Sequence, residues 1–348
     1  MSGLVAQHIR MEFGTHTAVS DAHFSVAEGE FVTLLGPSGC GKTTLLKIIA
    51  GFLAPSAGRI LMGGMDVTDV PPEARDTAMC FQSYALFPHL DVRANLEFGL
   101  RQKRVAPAER SRRLDSVIAQ LELGAHLAKL PNQLSGGQQQ RVSLARALVM
   151  QPKVILFDEP LSNLDAKLRD QVRIEIRRIQ RTHGLTALYV THDQAEALSM
   201  SDRIFVMNRG VIEQEAAPEV LYHQPRTAFV ADFIGAANIL PVLDQQPLAE
   251  GSLVRTPMGA LTMAGTVTGP AIAWRPERAR ILPPGARAVN AFEARITDRA
   301  FVGDHIDLQV EINGLIQRLR LPHCPQAVGE VLRFALDLED ILPLEQGA

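Results

Sequence analysis

The sequence predicts an α/β domain followed by a smaller domain built from β-strands, and three observations support this division. Up to about residue 235, apolar strand-like runs alternate with amphipathic stretches, which is the order found in α/β folds. From residue 236 onward, apolar and polar residues alternate with the period of two that half-buried antiparallel strands show. The same part of the chain holds ten of the 21 prolines, which disfavours long helices there. A chain of 348 residues is also long enough for two domains.

The strands of the first domain are marked by short apolar runs. Phe31–Leu35 leads into a glycine-rich turn, and the runs 154–157 and 186–190 are continuous, as expected of strands covered on both faces. Residues 204–212 predict a hairpin that turns at an Asn-Arg-Gly sequence. From about residue 90 to 150, the apolar residues instead recur at helical spacing, which predicts a helical segment of about 60 residues.

The alternation of the second domain is clearest near the end of the chain. Residues 306–312 and 315–321 flank Asn313-Gly314, a strong signal for a two-residue hairpin turn. Residues 332–338 alternate in the same way. Half-buried antiparallel strands of this kind predict a small barrel or sandwich. We place the boundary after residue 235, which gives domains 1–235 and 236–348.

Composition and charge exclude several classes of protein. The 35 basic and 38 acidic residues leave a net charge of -3, so there is neither a basic surplus for nucleic acid nor an acidic tail. No run approaches the ~18 apolar residues that a membrane span needs, and the first residues lack the apolar core of a signal peptide. The three cysteines are too few and too scattered for a disulfide framework or a four-cysteine zinc site. We therefore expect a reduced, soluble, cytoplasmic protein that needs another chain for any membrane-spanning role.

A glycine-rich segment at 36–43, here called the phosphate loop, carries the first candidate site. It matches G-x-x-x-x-G-K-[ST] between a predicted strand and a predicted helix, which is the context this motif requires. Backbone N–H groups of such a loop cradle phosphates, Lys42 can reach the β and γ phosphates, and Thr43 offers a hydroxyl to Mg²⁺. A plain glycine-rich turn with a surface lysine is the alternative. The predicted phosphate-binding residues are Gly36, Pro37, Ser38, Gly39, Cys40, Gly41, Lys42, Thr43 and Thr44.

Two carboxylates follow the apolar run 154–157. If this strand lies parallel to the strand before the phosphate loop, Asp158 ends near the Mg²⁺ ion. Glu159 then stands one residue further and can polarise the attacking water. The alternative is a charged strand end that faces solvent. The phosphate loop in the same chain favours the catalytic interpretation.

Three further residues are candidates for the same site, although each is unremarkable alone. His192 follows the run 186–190 and can contact the γ-phosphate. Gln82 follows a probable strand at 77–81, and its carbonyl can join the Mg²⁺ ligands or sense the γ-phosphate. Phe13 precedes a glycine and can stack on a base, whereas an inward-packing strand residue is the alternative.

A second anion site is predicted at 134–138, here called the signature segment, with the sequence Leu-Ser-Gly-Gly-Gln. Its residues Ser135, Gly136 and Gly137 stand at the start of a predicted helix, where backbone N–H groups and the helix dipole favour an anion. One chain thus carries two separate sites for phosphate.

With these motifs together, the chain resembles the ATP-binding subunit of ABC transporters. It is most similar to importer subunits with a C-terminal regulatory domain, such as those for maltose, polyamines, ferric iron or phosphonates. The resemblance covers essentially the whole chain, and its tail resembles the OB-like TOBE domain of these subunits. The resemblance implies a P-loop NTPase cassette fold with an inserted helical subdomain at about 90–150. It also implies ATP as the nucleotide and Mg²⁺ as the cofactor.

The resemblance also implies a role for each motif residue. Glu159 and His192 are the implied catalytic residues, and Phe13 is the implied adenine-stacking residue. The implied Mg²⁺ ligands are Thr43, Gln82 and Asp158. The implied residues that contact the nucleotide of a second subunit are Ser135, Gly136, Gly137 and Gln138, and Asp165 belongs to the D-loop (162–165).

The implied assembly is a head-to-tail homodimer with two ATP molecules at its interface. Membrane-spanning permease subunits are the implied partners, contacted through the segment 84–89, for which a buried loop of the helical subdomain is the alternative. A solute-binding protein is an indirect partner. The implied location is the cytoplasmic face of the inner membrane. A small charged organic solute, such as a polyamine or phosphonate, is expected, with a sugar or ferric iron as alternatives.

Two other functions stay open at this stage. A soluble ABC ATPase outside transport is one, although such proteins resemble tandem cassettes or carry long coiled-coil insertions. A ligand-sensing tail that controls the ATPase is the other, and it is compatible with transport. No nucleic-acid partner is expected from the charge.

Overall fold

The computed structural model describes residues 2–283 and 285–346 of the chain. The chain divides into two compact units, Met1–Pro218 and Glu219–Ala348. Each unit has its own buried apolar core.

The first unit combines a large sheet with helices. Its strands are β1 (Ser2–Phe13), β2 (His16–Ala27), β3 (Phe31–Leu35), β4 (Ala57–Met62), β5 (Met65–Asp66), β6 (Thr77–Cys80), β7 (Val154–Asp158), β8 (Thr186–Thr191), β9 (Arg203–Asn208) and β10 (Val211–Ala216). Its helices are α1 (Lys42–Ala50), α2 (Val92–Gln102), α3 (Pro107–Gln120), α4 (Gly136–Leu148), α5 (Ala166–His183) and α6 (Gln194–Met200). The strand order is β5-β4-β1-β2-β10-β9-β3-β8-β7-β6. The predicted α/β class is confirmed.

The parallel part of the sheet sets the position of the candidate site. Strand β3 pairs in parallel with β8 and β9, and β7 pairs in parallel with β6 and β8. In this register Leu35 lies opposite Thr191, and Asp158 lies opposite Val190. The segments that follow β3, β7 and β8 therefore leave the sheet at the same edge, where open α/β sheets bind ligands.

Helices α2, α3 and α4 occupy the stretch predicted to be helical. The predicted apolar face of α4 is buried, and it continues one residue past the helix at Val149. Asp91 accepts a hydrogen bond from Ala94 N and so caps the start of α2.

Arg75 fixes the end of α1, the helix that follows the phosphate loop. Its guanidinium is buried and donates to the carbonyl oxygens of Ile48 (2.8 Å) and Ile49 (2.7 Å). The same group donates to the carbonyls of Val70 and Thr68. Burial lowers the pKa of Arg75. One side chain therefore satisfies carbonyls at the carboxyl end of α1 that have no partner within the helix.

Replacing Arg75 with methionine is expected to destabilise the first unit by about 3 kcal/mol, because several buried carbonyls lose their donor. The thermal unfolding midpoint should fall by about 6 °C or more. Arg59→Met is the matched control, since that side chain is 72% exposed and lies 4.0 Å from Asp66; its effect should stay below about 0.5 kcal/mol. Equal midpoints for the two variants in calorimetry would contradict this role.

The second unit consists of strands preceded by two short helices. These helices are α7, which begins at the division (Pro218–His223), and α8 (Ala228–Phe233). The strands are β11 (Asn238–Pro241), β12 (Asp244–Pro247), β13 (Ser252–Thr256), β14 (Gly259–Met263), β15 (Ala271–Trp274), β16 (Arg280–Ile281), β17 (Ala291–Phe301), β18 (Ile306–Ile312), β19 (Leu315–Leu321), β20 (Val331–Ala335) and β21 (Ile341–Leu344). They form sheets β11-β15-β21, β12-β13-β14 and β16-β20-β17-β18-β19.

The predicted hairpin of the tail is present in the largest of these sheets. Ile312 pairs with Leu315, and the intervening Asn313 and Gly314 have φ angles of 51° and 80°. Both residues have a left-handed backbone conformation, as a two-residue turn between twisted strands requires. The β-rich class predicted for the tail is confirmed, with Trp274 in its core.

The division lies earlier than the boundary predicted after residue 235. The buried guanidinium of Arg275, just after β15, donates to the carbonyls of Tyr222 and Ala231 and also to that of Ile234. It also stacks on the ring of Tyr222, 4.3 Å from the ring centroid. These long-range bonds hold α7 and α8 to the strands of the second unit.

Among the residues that the structure describes, no helix combines the length and the apolar character needed to span a membrane.

Candidate functional site

A cleft of about 390 Å³ opens at the edge where β3 and β7 end. It brings the phosphate loop together with Phe13 and Glu159, which are far apart in sequence. The lining residues are Phe13, His16, Ala18, Ser38, Gly39, Gly41, Lys42, Thr43, Thr44 and Glu159. Phe13, the last residue of β1, is 47% exposed, so its ring is available to stack on a ligand.

The phosphate loop needs glycine at two positions because backbone approaches it closely. A Cβ on Gly36 would lie 2.3 Å from the carbonyl oxygen of Met207, and one on Gly41 would lie 2.3 Å from that of Ala18. Gly41 also has a φ of 105°, which side chains rarely adopt. Gly41 is the residue before α1, so the loop delivers its N–H groups at a helix start.

Lys42 is buried inside the loop. Its Nζ donates to the carbonyl oxygens of Gly36 (2.8 Å) and Pro37 (2.9 Å) and lies 3.8 Å from Cys40 Sγ. Burial raises the pKa of the Cys40 thiol, although the charge of Lys42 acts against the shift. The ammonium group is thus held at the centre of the loop.

Two oxygen donors from different strands converge beside the loop. Thr43 Oγ1 donates to Asp158 Oδ1 over 3.1 Å, although the two residues are separated by 115 positions. Burial raises the pKa of Asp158, and the neighbouring charge of Glu159 adds to this, while the Thr43 hydrogen bond opposes it. A half-buried carboxylate next to a hydroxyl is an all-oxygen donor pair of the kind that Mg²⁺ prefers. These residues therefore fit the ion that the sequence predicted.

The two predicted catalytic side chains are in contact. His192 Nδ1 lies 3.2 Å from Glu159 Oε1, and Glu159 is the more buried of the two. Glu159 has a φ of 43°, a left-handed conformation that costs a non-glycine residue energy. Its N–H donates to the carbonyl of Val190 on β8, and Ser162 donates back to the Glu159 carbonyl. The chain therefore holds Glu159 in a strained turn directly beside the cleft.

Gln82 lies against the D-loop. Its side-chain amide donates to Ser162 Oγ over 3.2 Å. Asn163 Nδ2 donates to the main-chain carbonyl oxygen of Gln82 over 3.0 Å. Asp165 caps α5 by accepting from Leu168 N over 2.9 Å. The described contacts of Gln82 are thus with Ser162 and Asn163, and its predicted role as an Mg²⁺ ligand stays a prediction.

The signature segment begins α4 and does not line the cleft among the described residues. Ser135 caps the helix through reciprocal bonds: its Oγ accepts from Gln138 N, and its own N–H donates to Gln138 Oε1. Gly137 is buried against Leu168, where a Cβ would lie 2.8 Å from a methyl group. Ser135 itself is exposed to solvent.

Two cleft residues were not predicted from the sequence. His16 pairs with Phe13 across the β1–β2 hairpin, and Ala18 contributes the carbonyl that approaches Gly41. The only signal available was the glycine after Phe13, which predicts a turn. That turn returns the chain to the cleft, but a turn signal does not identify the side chains that follow it.

The segment 84–89, here called the aromatic loop, has an unusual backbone conformation. Tyr84 and Ala85 are consecutive left-handed residues, with φ angles of 61° and 47°. Arg146 on α4 donates to both of their carbonyls, and Asn95 on α2 exchanges two hydrogen bonds with the backbone of Phe87. The helical subdomain therefore holds this loop in one shape.

A second cleft, of about 360 Å³, lies in the second unit. Its floor is formed by outward-facing residues of β17, β18 and β19, among them Asp298, Asp307 and Arg320. Arg320 Nε donates to Asp307 Oδ1 over 2.9 Å, so part of the charge is neutralised internally. The ligand-sensing role considered for the tail stays a prediction.

Known protein families match parts of both units of this chain. The family model described as ABC transporter matches residues 19–162, and the TOBE domain model matches residues 272–344. The Fe(3+) ions import ATP-binding protein FbpC of Agrobacterium fabrum is 46% identical over 311 residues, covering 88% of this chain and 87% of that protein. The spermidine/putrescine import ATP-binding protein PotA of Rubrobacter xylanophilus is 47% identical over 305 residues, covering 85% and 80%.

Solved structures show the same likeness over about three fifths of the chain. The ATP-binding cassette MJ0796, a dimer in a post-hydrolysis state bound to ADP and Pi, has a TM-score of 0.55 at 30% identity and covers 62% of this chain and 98% of that one. The transporter component cbiO1 of Clostridium perfringens has a TM-score of 0.58 at 27% identity and covers 63% and 89%. The chain belongs to the ABC transporter family of ATPases. Within that family it carries a TOBE domain, as the sequence predicted, and it binds ATP.

Proposed function

We propose that this chain is the energy-coupling ATPase of an importer and works as a head-to-tail homodimer. The observation that carries the proposal is the cleft in which the phosphate loop meets Glu159, itself in contact with His192. A buried lysine, a carboxylate and an imidazole around one cleft suit phosphoryl transfer to water. Import is supported by the relatives, which are named as import proteins.

Residues in the cleft and beside it have different roles in this proposal. Lys42 and the loop N–H groups bind the phosphates, and Phe13 stacks on the base. Glu159 accepts a proton from the attacking water, and His192 orients that carboxylate and contacts the γ-phosphate. Thr43 and Asp158 would hold Mg²⁺, which supplies charge neutralisation for the phosphate oxygens.

A second copy of the chain completes the site. Ser135 is exposed and lies outside the cleft, yet it begins a helix whose N–H groups suit an anion. In a head-to-tail dimer the signature segment of one subunit faces the phosphate loop of the other. Bound ATP then favours the closed dimer, because only this state offers both halves of the site.

Ser135→Arg tests the composite site. We expect the variant to bind ATP with an affinity within about threefold of wild type, because its own phosphate loop is intact. Hydrolysis should fall by about a hundredfold or more, because one donor group of the composite site is lost and a bulky cation enters it. The measurements are nucleotide titration by fluorescence and phosphate release at saturating ATP.

Ser111→Arg on α3 is the matched control, because Ser111 is also an exposed serine on a helix of the same unit. It should hydrolyse ATP at the wild-type rate. A Ser135→Arg protein with full turnover would show that one subunit suffices, and the dimer proposal would then be wrong.

The aromatic loop is the proposed contact with the permease subunits. Phe87 packs against Phe98 with the ring centroids 4.4 Å apart, and Phe98 is 38% exposed, so the loop presents an apolar surface. Such a surface suits a short apolar helix of a membrane protein. The chain would then sit on the cytoplasmic face of the membrane, with a solute-binding protein as an indirect partner. Co-purification with permease subunits tests this assembly and separates it from a soluble ABC ATPase.

The proposed solute is a cation, either ferric iron or a polyamine. The reason is that one relative named for Fe(3+) import and one named for spermidine/putrescine import each align over most of this chain. Cells that lack the chain would be complemented with wild type or with Glu159→Gln and supplied with radiolabelled iron or spermidine. Uptake of one of the two by the wild type alone supports the proposal. Uptake of neither contradicts it.

A further inference from the structure

The loop that carries His192 is held on both sides by Glu196, through its buried carboxylate on one side and its main-chain N–H on the other. Glu196 on α6 is 4% exposed, and its Oε2 accepts from Thr191 Oγ1 and Tyr189 Oη, both over 2.8 Å. Its N–H donates to Asp193 Oδ1 over 3.1 Å. Asp193 N also donates to Thr191 Oγ1 over 3.0 Å. The residues before and after His192 are therefore both tied to Glu196.

A carboxylate at this depth is by itself weak evidence for a role in stability. Burial raises the pKa of Glu196, while the hydrogen bonds from Tyr189 and Thr191 and the charge of Arg169 act against that shift. Replacing buried charged groups by packed apolar ones is often neutral or stabilising. The acceptor oxygens of Glu196 instead give the loop a defined shape, which an apolar side chain would not do.

Arg169 connects this loop to the D-loop. It lies in the first turn of α5, and its Nη2 donates to the carbonyl of Leu164 over 3.1 Å. Its Nη1 donates to Asp193 Oδ2 over 3.5 Å, and its buried Nε lies 3.9 Å from Glu196 Oε1. The planar guanidinium can bridge three groups at fixed angles, which a lysine cannot.

We propose that Arg169 and Glu196 are positioning residues for ATP hydrolysis, which set His192 beside Glu159 in register with the D-loop. This inference rests on the proposed function, in which His192 acts on the γ-phosphate. Because Arg169 contacts both Leu164 and Asp193, it couples the position of the D-loop to that of the His192 loop in the same subunit.

The test is steady-state ATP hydrolysis by the full chain carrying Arg169→Gln or Glu196→Gln. Each should lower kcat about tenfold, because the reacting groups are misplaced. KM should stay within about twofold of the wild-type value, because the nucleotide contacts remain. Arg169→Lys should recover part of the lost rate, since an ammonium can still reach one of the three partners. The double variant should lose no more than the worse single one, because both residues act through the same loop.

A second measurement separates positioning from general damage to the fold. We then add Arg169→Gln to a His192→Gln variant and measure single-turnover hydrolysis of radiolabelled ATP. The second substitution should cause no further loss of the hydrolysis rate. Arg173→Gln is the control on the same helix, one turn further along; Arg173 pairs with Asp170 and has no contact with the His192 loop in the described structure. It should keep wild-type kcat.

Wild-type kcat in Arg169→Gln would overturn the inference, as would a further tenfold loss in the His192→Gln background. If Arg169→Gln does not fold, Glu196→Gln and Arg169→Lys decide the matter by the same criteria. Failure of the proposed function has a different signature. In that case Glu159→Gln would keep its turnover, whereas an inactive Glu159→Gln with a fully active Arg169→Gln contradicts only the positioning role.

Discussion

Replacing Glu159 with glutamine is expected to lower kcat for ATP hydrolysis about a thousandfold, within the range that a general base contributes. Glutamine has nearly the same shape, so the contact with His192 and the strained turn can persist. ATP affinity should stay within about threefold, because the phosphate loop is unchanged. With ATP bound and not cleaved, the variant should accumulate as a dimer in light scattering coupled to size exclusion.

Glu73→Gln provides the control for this variant, because Glu73 is an exposed carboxylate of the same unit outside the cleft. It should hydrolyse ATP normally and show no stable dimer. If Glu159→Gln kept wild-type turnover, another group would have to activate the water, and the catalytic role of this carboxylate would be wrong.

Much of this site could be predicted because its signals are local. The phosphate loop follows β3 and runs into the first turn of α1. The motif spacing alone identifies its glycines, and the structure shows that neighbouring backbone leaves no room for a side chain at Gly36 and Gly41. The proximity of Asp158 to Thr43 follows from a rule about parallel strands. Asp158 ends β7, and the phosphate loop that contains Thr43 follows the carboxyl end of β3 at the same edge of the sheet. The contact between Glu159 and His192 follows in the same way.

Other features could not be predicted, because they depend on where long side chains reach in three dimensions. Arg169 bonds to Leu164 and Asp193, but nothing in the spacing along α5 selects those partners. The division between the units lies earlier than predicted because Arg275, in the second unit, binds the carbonyls of helices that precede it by more than 40 positions. Such contacts leave no periodic trace in the sequence.

Removing the ammonium group of Lys42 is expected to weaken ATP binding about 30-fold, equivalent to about 2 kcal/mol for a charged hydrogen-bond donor. Because Lys42 lies at the centre of the phosphate loop, the loss should depend on the number of phosphates. In Lys42→Ala, fluorescent ATP should lose far more affinity than fluorescent AMP, whose single phosphate does not extend to the β and γ positions.

The comparison between nucleotides also distinguishes two physical causes. Lys42 Nζ donates to the carbonyls of Gly36 and Pro37, so its removal affects the loop itself as well as the ligand. If the loop collapsed, AMP and ATP would lose affinity equally, and direct phosphate binding by Lys42 would be contradicted. Lys103→Ala, at an exposed lysine after α2, should bind both nucleotides as the wild type does. A selective loss for ATP therefore identifies Lys42 as the group that holds the terminal phosphates.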